Sequence, residues 1–256
     1  MRYFESHAHY DDNRFDKDRD RLLSDALPNA GIDCVINVGA DMRSSYDSIK
    51  LAEDYDYIYA SVGVHPHDVK DIEDRDLDNL LSLSKHRKAV AIGEIGLDFH
   101  YDHSPRDVQR RRFRDQLALA LEAGLPVIIH SREADRETFD IIKDSGAARV
   151  GGVIHCYGGG AELAAEYAKL GFYIGFGGVL TYPKAEENRK AAAALPADYI
   201  LIETDCPYLS PVPFRGQRND SRNLRHICEK LAEIRGITPE EAASKTYENG
   251  KRLFNF

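Results

Sequence analysis

Residues 125–156, LPVIIHSREADRETFDIIKDSGAARVGGVIHC, hold the pattern that decides the fold. The segment opens on a short β-branched run ending in His130, crosses a polar stretch of helix length closed by Gly146, and returns to a second apolar run ending in His155. A strand, a helix and another strand in this order make a βαβ unit, whose two strands run parallel. Gly146 stands where helices commonly stop.

The same unit recurs on both sides. Towards the N-terminus lie AVAIGEIG from 89, YIYASVGVH from 57, DCVINVG from 33 and RYFESH near residue 3; towards the C-terminus lie FYIGFGG from 172 and YILIETD from 199. Polar stretches of helix length separate them, among them SSYDSIKLAEDY, DVQRRRFRDQLALALEAG, AELAAEYAKLG and AEENRKAAAALP, with Gly124 and Gly171 as further stops. Eight such repeats favour an α/β TIM (β/α)8 barrel over an open doubly wound sheet. After Asp205 come a Pro-rich loop, PYLSPVPFRGQRND, and two helix-like stretches, LRHICEKLAEIRG and TPEEAASKTYENGKRLF, expected to cover the outside of the barrel. Thr238 is the expected N-cap of the last, with Pro239 in its first turn. A chain of 256 residues with no linker or low-complexity segment is expected to form a single domain, 1–256.

Composition narrows the class. Hydrophobic residues make up 43% and charged ones 30%, the mixture of a soluble globular enzyme. No apolar run approaches the roughly 20 residues that span a bilayer, and the N-terminus lacks a basic segment followed by an apolar run, so a cytoplasmic protein without membrane contact is expected. Cys34, Cys156, Cys206 and Cys228 lack paired metal-binding spacing and read as reduced, buried thiols. A net charge of −9 argues against coating nucleic acid through a broad basic face, but not against an enzyme that grips phosphates through metal ions and a few arginines.

Six metal-capable side chains close the strand-like runs: His7 and His9 in ESHAHYD, Glu94 in AIGEIGLD, His130, His155, and Asp205 in ILIETDCP. Active sites of such barrels sit at the C-terminal ends of the strands, which is where these six fall. Alternation along a strand puts His7 and His9 on one face, and Glu203 with Asp205 on another. Glu5 shares the parity of His7, so Glu5 and Glu203 are candidates to orient a ligand histidine. Cys156 and Cys206, one residue past a proposed ligand, are expected to face the helices. A lone histidine often serves as a hydrogen-bonded core residue. Glu94 and Asp205, however, would be costly to bury unpaired, and a divalent ion supplies the compensating charge.

These motifs resemble the TatD family of metal-dependent hydrolases. The likeness rests on His7-x-His9, Gly63-Val64-His65-Pro66-His67, Gly93-Glu94-Ile95-Gly96-Leu97-Asp98, Ile129-His130-Ser131-Arg132, Ile154-His155-Cys156-Tyr157 and Glu203-Thr204-Asp205-Cys206-Pro207-Tyr208-Leu209, and runs on to Arg252-Leu253-Phe254. The resemblance implies a TIM barrel of the amidohydrolase superfamily, with metal-dependent deoxyribonucleases, including 3′–5′ exonucleases, among its members. It also implies two divalent metal ions bridged by Glu94, where many amidohydrolases use a carboxylated lysine. His7, His9 and Asp205 would bind the first; His130 and His155 would complete the second. Zinc, manganese and magnesium all accept such ligands. Three positions depart from the pattern. Glu5 stands where aspartate is commoner, Tyr10 where leucine is usual, and Asp220-Ser221-Arg222 where Glu-Pro follows the loop Phe214-Arg215-Gly216-Gln217-Arg218-Asn219.

A metal pair about 3.5 to 4 Å apart activates a water for in-line attack on phosphorus, so DNA is the expected substrate. Asp205 is the candidate general base, beside the bridging Glu94, and His65 a donor to a phosphate oxygen. Arg215 and Arg218, in the loop after strand eight, and Arg132 are candidate phosphate contacts, with solvated surface arginines as the plainer reading. The run Arg110-Arg111-Arg112 reads as a solvated helix face, because neighbours on a helix point in different directions. Tyr101, Tyr157, Tyr182 and Tyr208 follow strands four, six, seven and eight and are positioned to stack on bases if they rim the site. Two rivals stand beside the nuclease: a hydrolase of a small-molecule amide, ester or lactone, and a metal-binding scaffold without activity. No stable protein partner is implied, and a monomer is the default.

Overall fold

The computed structural model describes residues 1–256. Eight strands form one sheet: β1 (Tyr3–Ala8), β2 (Ile32–Val38), β3 (Ile58–Val62), β4 (Ala89–Asp98), β5 (Val127–Arg132), β6 (Gly152–Ile154), β7 (Phe172–Phe176) and β8 (Ile200–Ile202). Each pairs in parallel with the next. The ring closes just beyond β8, where Ala8 bridges Cys206, the Asp205 N–H donates to His7 O at 3.0 Å, and the His9 N–H donates to Cys206 O at 2.8 Å. This is the barrel expected from the eightfold repeat.

Every strand is followed by helical structure. Residues 19–29 are helical around a π turn at Leu22–Ala26, and the later helices are Met42–Asp54, Asp74–Leu83, Arg106–Ala123, Asp135–Ser145, Ala161–Lys169, Glu186–Ala194 and Leu224–Arg235. Gly124 and Gly146 end their helices in the left-handed region, at φ 68° and 79°. The last helix, Pro239–Phe254, starts at a capping box: Thr238 Oγ1 accepts the Glu241 N–H, and the Glu241 carboxylate accepts the Thr238 N–H.

Two apolar layers result from strand alternation. The outer layer, between strands and helices, takes in Val35, Ile58, Ile129, Ile174 and Ile202 with helix residues such as Phe113, Phe139 and Leu231. The inner layer fills the barrel with Phe4, Ile36, Val90, Ile128, Val153, Tyr173 and Leu201. The final helix departs from the expected exterior position at its end, because Leu253 and Phe254 join the inner layer and Phe254 stacks on Phe4 at 5.7 Å. Apolar residues at the last turn of an otherwise amphipathic helix find water excluded only inside the barrel, so the chain's end plugs its floor. Gly250 permits this approach: a Cβ there would meet the Phe4 ring at 2.6 Å.

Candidate metal centre

At the opposite end of the strands the inner positions turn polar. His7 is fully buried, and Glu94 and His155 nearly so. His7 Nε2 and His9 Nε2 face each other at 3.1 Å, and each also faces Glu94 Oε2, at 3.3 and 3.9 Å. Asp205 Oδ1 closes this group, 3.5 Å from His9 Nε2 and 3.9 Å from His7 Nε2. The other oxygen, Glu94 Oε1, looks the opposite way, to His130 Nδ1 at 2.9 Å, His65 Nε2 at 3.6 Å and His155 Nε2 at 3.9 Å. The six strand-end residues therefore converge, with one carboxylate presenting a separate oxygen to each of two histidine sets.

Contacts behind the rings fix which nitrogen faces the centre. His9 Nδ1 lies 2.9 Å from Val38 O, an acceptor only, so Nδ1 carries a proton and Nε2 is the nitrogen turned to the centre. His130 Nε2 sits 3.0 Å from Asp98 Oδ2, which leaves Nδ1 for the centre. His155 Nδ1 lies 2.9 Å from Glu203 Oε1, a charge contact rather than an aligned hydrogen bond, and its Nε2 points inward. His65 differs. Its Nδ1 accepts the His67 N–H at 3.2 Å, so its proton is on Nε2 and the ring is a donor to the centre, although distance alone would group it with Glu94 and His130 as a ligand.

Charge follows the same plan. Burial opposes ionisation of Glu94, but the surrounding imidazoles His65, His7 and His155 and the His130 hydrogen bond hold its carboxyl well below the usual range. Burial also works against a charged His9 and His155, yet Asp205 lifts His9 to about 9, and Glu203 with Glu94 lifts His155 to about 10. The carboxylates thus draw positive charge onto the rings, a demand that a divalent cation satisfies while using the inward lone pairs. The donor set of imidazoles and carboxylates fits such an ion. Burial and His130 push His65 far below its ordinary value, so it is a neutral donor.

Asp98 belongs to this site and has no role assigned from sequence. Its Oδ2 accepts from both His130 and His67 at 3.0 Å, and its Oδ1 accepts the N–H groups of His100 and Tyr101. Only its place in the Gly-Leu-Asp motif marks it, since its partners come from other strands. Glu203 holds His155 and the Cys156 N–H, and Gly175 makes room for it, because a Cβ there would come within 2.5 Å of the carboxylate.

Two expectations built on alternation fail. The β1–β2 register shifts between Glu5 and Ala8, which turns Glu5 away from the imidazoles. It accepts instead from Thr204 N, Thr204 Oγ1 and His7 N, at 2.9, 2.6 and 3.2 Å, and burial raises its carboxyl to about 7. Cys156 has φ 45°, so regular alternation ends at His155. Its thiol is raised by burial and then by the charges of Asp205, Glu203 and Glu94. Cys206 does lie in the helix-facing layer.

The arginines separate. Arg132 and Arg215 lie over the rings of Tyr101 and Tyr182 at 4.7 and 4.2 Å. Arg218 is held by both oxygens of Asp18 at 2.7 Å and lines a cavity of about 630 Å³ with Met1, Tyr3 and Arg225, a cavity that none of the six candidate ligands lines. Arg110 pairs with Glu137 and Arg112 with Asp74, in different directions as expected, but the run is not a solvated face throughout: Arg112 is buried, its guanidinium donating to Asp74, Asp115 and Ile72 O. Tyr157 is buried, with its hydroxyl on Gly160 O, so it does not rim the mouth. Two departures from the family pattern meet: Tyr10 Oη donates to Ser221 Oγ at 2.7 Å and accepts the Ser221 N–H at 2.8 Å, a bond that a proline at 221 could not make.

With this geometry in place, the comparisons with known proteins agree. The family described as TatD related DNase matches residues 4–255. The chain belongs to that family. It is 43% identical to the uncharacterized metal-dependent hydrolase YabD of Bacillus subtilis over 98% of both chains. It is 35% identical to the 3′-5′ ssDNA/RNA exonuclease TatD of Citrobacter koseri, over 94% of this chain and 95% of the relative. The crystal structure of YjjV, a TatD homolog from Escherichia coli K12, superposes with a TM-score of 0.93 at 32% identity, covering 99% of this chain and 98% of the other. A metal-dependent hydrolase of this family, built on the TIM barrel, is the identity that follows. No helix is long and apolar enough to cross a membrane.

Proposed function

We propose that the chain is a deoxyribonuclease that hydrolyses DNA phosphodiesters with two divalent ions, acting as one catalytic unit in the cytoplasm. One observation carries this reading: the two oxygens of Glu94 address two different histidine sets, Oε2 towards His7 and His9 and Oε1 towards His130 and His155. In this reading His7, His9 and Asp205 hold one ion, His130 and His155 the other, and Glu94 both. Such a pair, when bound, lowers the pKa of water and stabilises the entering and leaving oxygens of a displacement at phosphorus. Asp205, at the edge of the group and 14% exposed, is the base that takes the water's proton. His65, neutral with its proton on Nε2, donates to a phosphate oxygen. Arg132, at the end of β5, and Arg215, on the loop after β8, meet neighbouring phosphates; Arg218 is held by Asp18 instead.

The test strips the purified protein of metal and reloads it with magnesium, manganese, cobalt or zinc. Each form is offered end-labelled single- and double-stranded DNA, RNA, and a panel of amides, esters and lactones. Metal-dependent loss of DNA that disappears in Glu94→Ala is expected. DNA left intact with every metal, while a carbonyl substrate is cleaved, sinks the reading.

A further inference from the structure

We propose that three tyrosine–arginine stacks around the mouth of the barrel form the grip for a single-stranded nucleic acid, an inference that rests on the nuclease reading above. Tyr101 follows β4 and lies under Arg132 of β5 at 4.7 Å. Tyr182 follows β7 and lies under Arg215 of the β8 loop at 4.2 Å. Tyr208 follows β8 and lies under Arg14 of the β1 loop at 4.1 Å. In each pair the two residues come from different strand–loop units, so the same arrangement is built three times by tertiary contact.

Their place ties them to the chemistry. The Tyr208 ring is 6.2 Å from the His9 ring, and the Tyr101 ring is 5.4 Å from His67, which shares Asp98 with His130. Tyr182 is pinned to the β8 loop by its hydroxyl on Ser210 O at 3.0 Å. Tyr101 and Tyr208 are 50% and 46% exposed, large rings left in water beside a buried polar centre. In a chain of net charge −9, Arg132 and Arg215 have no carboxylate within ion-pair distance, whereas Arg14 is held by Asp12 and Arg218 by Asp18.

A guanidinium over an exposed ring is weakly held. An arriving base stacks on the ring more strongly than the cation does, and the released guanidinium, with its fork of donors, takes the adjacent phosphate. In a duplex the base faces are already stacked on one another, so the rings have nothing to meet. The stacks thus select the single strand, while the metal centre is indifferent to it.

The experiment compares wild type with Tyr101→Ala, Tyr208→Ala, the corresponding Phe variants, Arg132→Gln and Arg215→Gln, all metal-loaded. One readout is the affinity for a fluorescent phosphorothioate single strand, which resists cleavage, followed by anisotropy. The other is the ratio of kcat/KM on single-stranded DNA to kcat/KM on bis(4-nitrophenyl) phosphate, which cancels changes at the metals. Each Ala variant is expected to lose on the order of tenfold in both, and the Phe variants to retain them. Each Gln variant is expected to lower the slope of log affinity against log salt by about 0.7. Ala variants that bind the single strand as tightly as wild type, or a wild type that prefers duplex, overturn the grip while DNA cleavage by wild type keeps the nuclease reading. A wild type that hydrolyses the small diester but neither binds nor cleaves a single strand overturns both.

Discussion

The two ends of the barrel are made from the same strands and have opposite chemistry. At the floor, Phe4 is covered by Phe254 and Phe256, with ring centroids 5.7 and 6.0 Å away, and the inner layer is apolar. At the mouth, the same inward positions a few residues later are His7, His130, His155 and Asp205, with Glu94 at their centre. Alternation carries Ile128 to His130 and Val153 to His155, while Phe4 and His7 are separated by the register shift in β1; the difference between the ends lies in what each layer requires of its neighbours. Phe4 needs only excluded water, which the last turn of the final helix provides. Glu94 needs positive charge from several strands at once, and its position is over-determined by five imidazoles. Stability concentrates at one end and reactivity at the other.

If that division is sound, damage at one end spares the other. The largest effect is expected from Glu94→Ala, which removes the carboxylate shared by both histidine sets. Metal content by elemental analysis should fall, and activity should drop by more than the about 10- to 100-fold seen when a group behind a ligand is lost. The fold should persist by circular dichroism. At the floor, Phe254→Ala should cost about 3 kcal/mol in denaturant unfolding. Its kcat at low temperature should stay near wild type; a loss of kcat comparable to that of Glu94→Ala would show that the two ends are mechanically coupled. Next comes Asp98→Asn, which weakens the hold on His130 and should reduce metal affinity by about 10- to 100-fold without moving the melting temperature far. The smallest effect belongs to a floor network in which Asp33 accepts from Arg2 and Tyr247. Burial opposes its charge, but those two donors win and depress its carboxyl below the usual value. Its contribution is therefore present above pH 3.8 and lost as pH falls through the depressed value. At this partly exposed site it amounts to about 0.5 kcal/mol or less, read as the difference in acid unfolding between wild type and Asp33→Asn.

Sequence exposes the barrel and the six converging side chains because both depend on short-range pattern: an apolar run, a polar residue at its end, and a helix of fitting length. What it hides depends on irregular backbone or distant partners. The shift in β1 between Glu5 and Ala8 reverses the side on which Glu5 falls, and the left-handed backbone at Cys156 ends the alternation of β6 there. Asp98 has its meaning only once β3 brings His67 and β5 brings His130. The pairing of Arg218 with Asp18 joins residues 200 apart and engages the guanidinium of the former with a carboxylate. Tyr10 and Ser221 look like unrelated departures in a linear reading, yet in the folded chain each satisfies the other.

The seam of the barrel sets the order in which the protein can come alive. The bonds that join β1 to the end of β8 run from Asp205 N–H to His7 O and from Thr204 to Glu5, the latter pair 199 residues apart. During synthesis at roughly 5 to 20 residues per second, about 10 to 40 seconds separate the emergence of the first histidines from that of the aspartate that completes their group. Until the residues after β8 emerge, a nascent chain on the ribosome, surrounded by RNA, therefore carries only an open sheet and part of the proposed ligand set. The residue that closes the seam is thus also the last of the proposed ligands to emerge, so the proposed site is complete only once the seam can form.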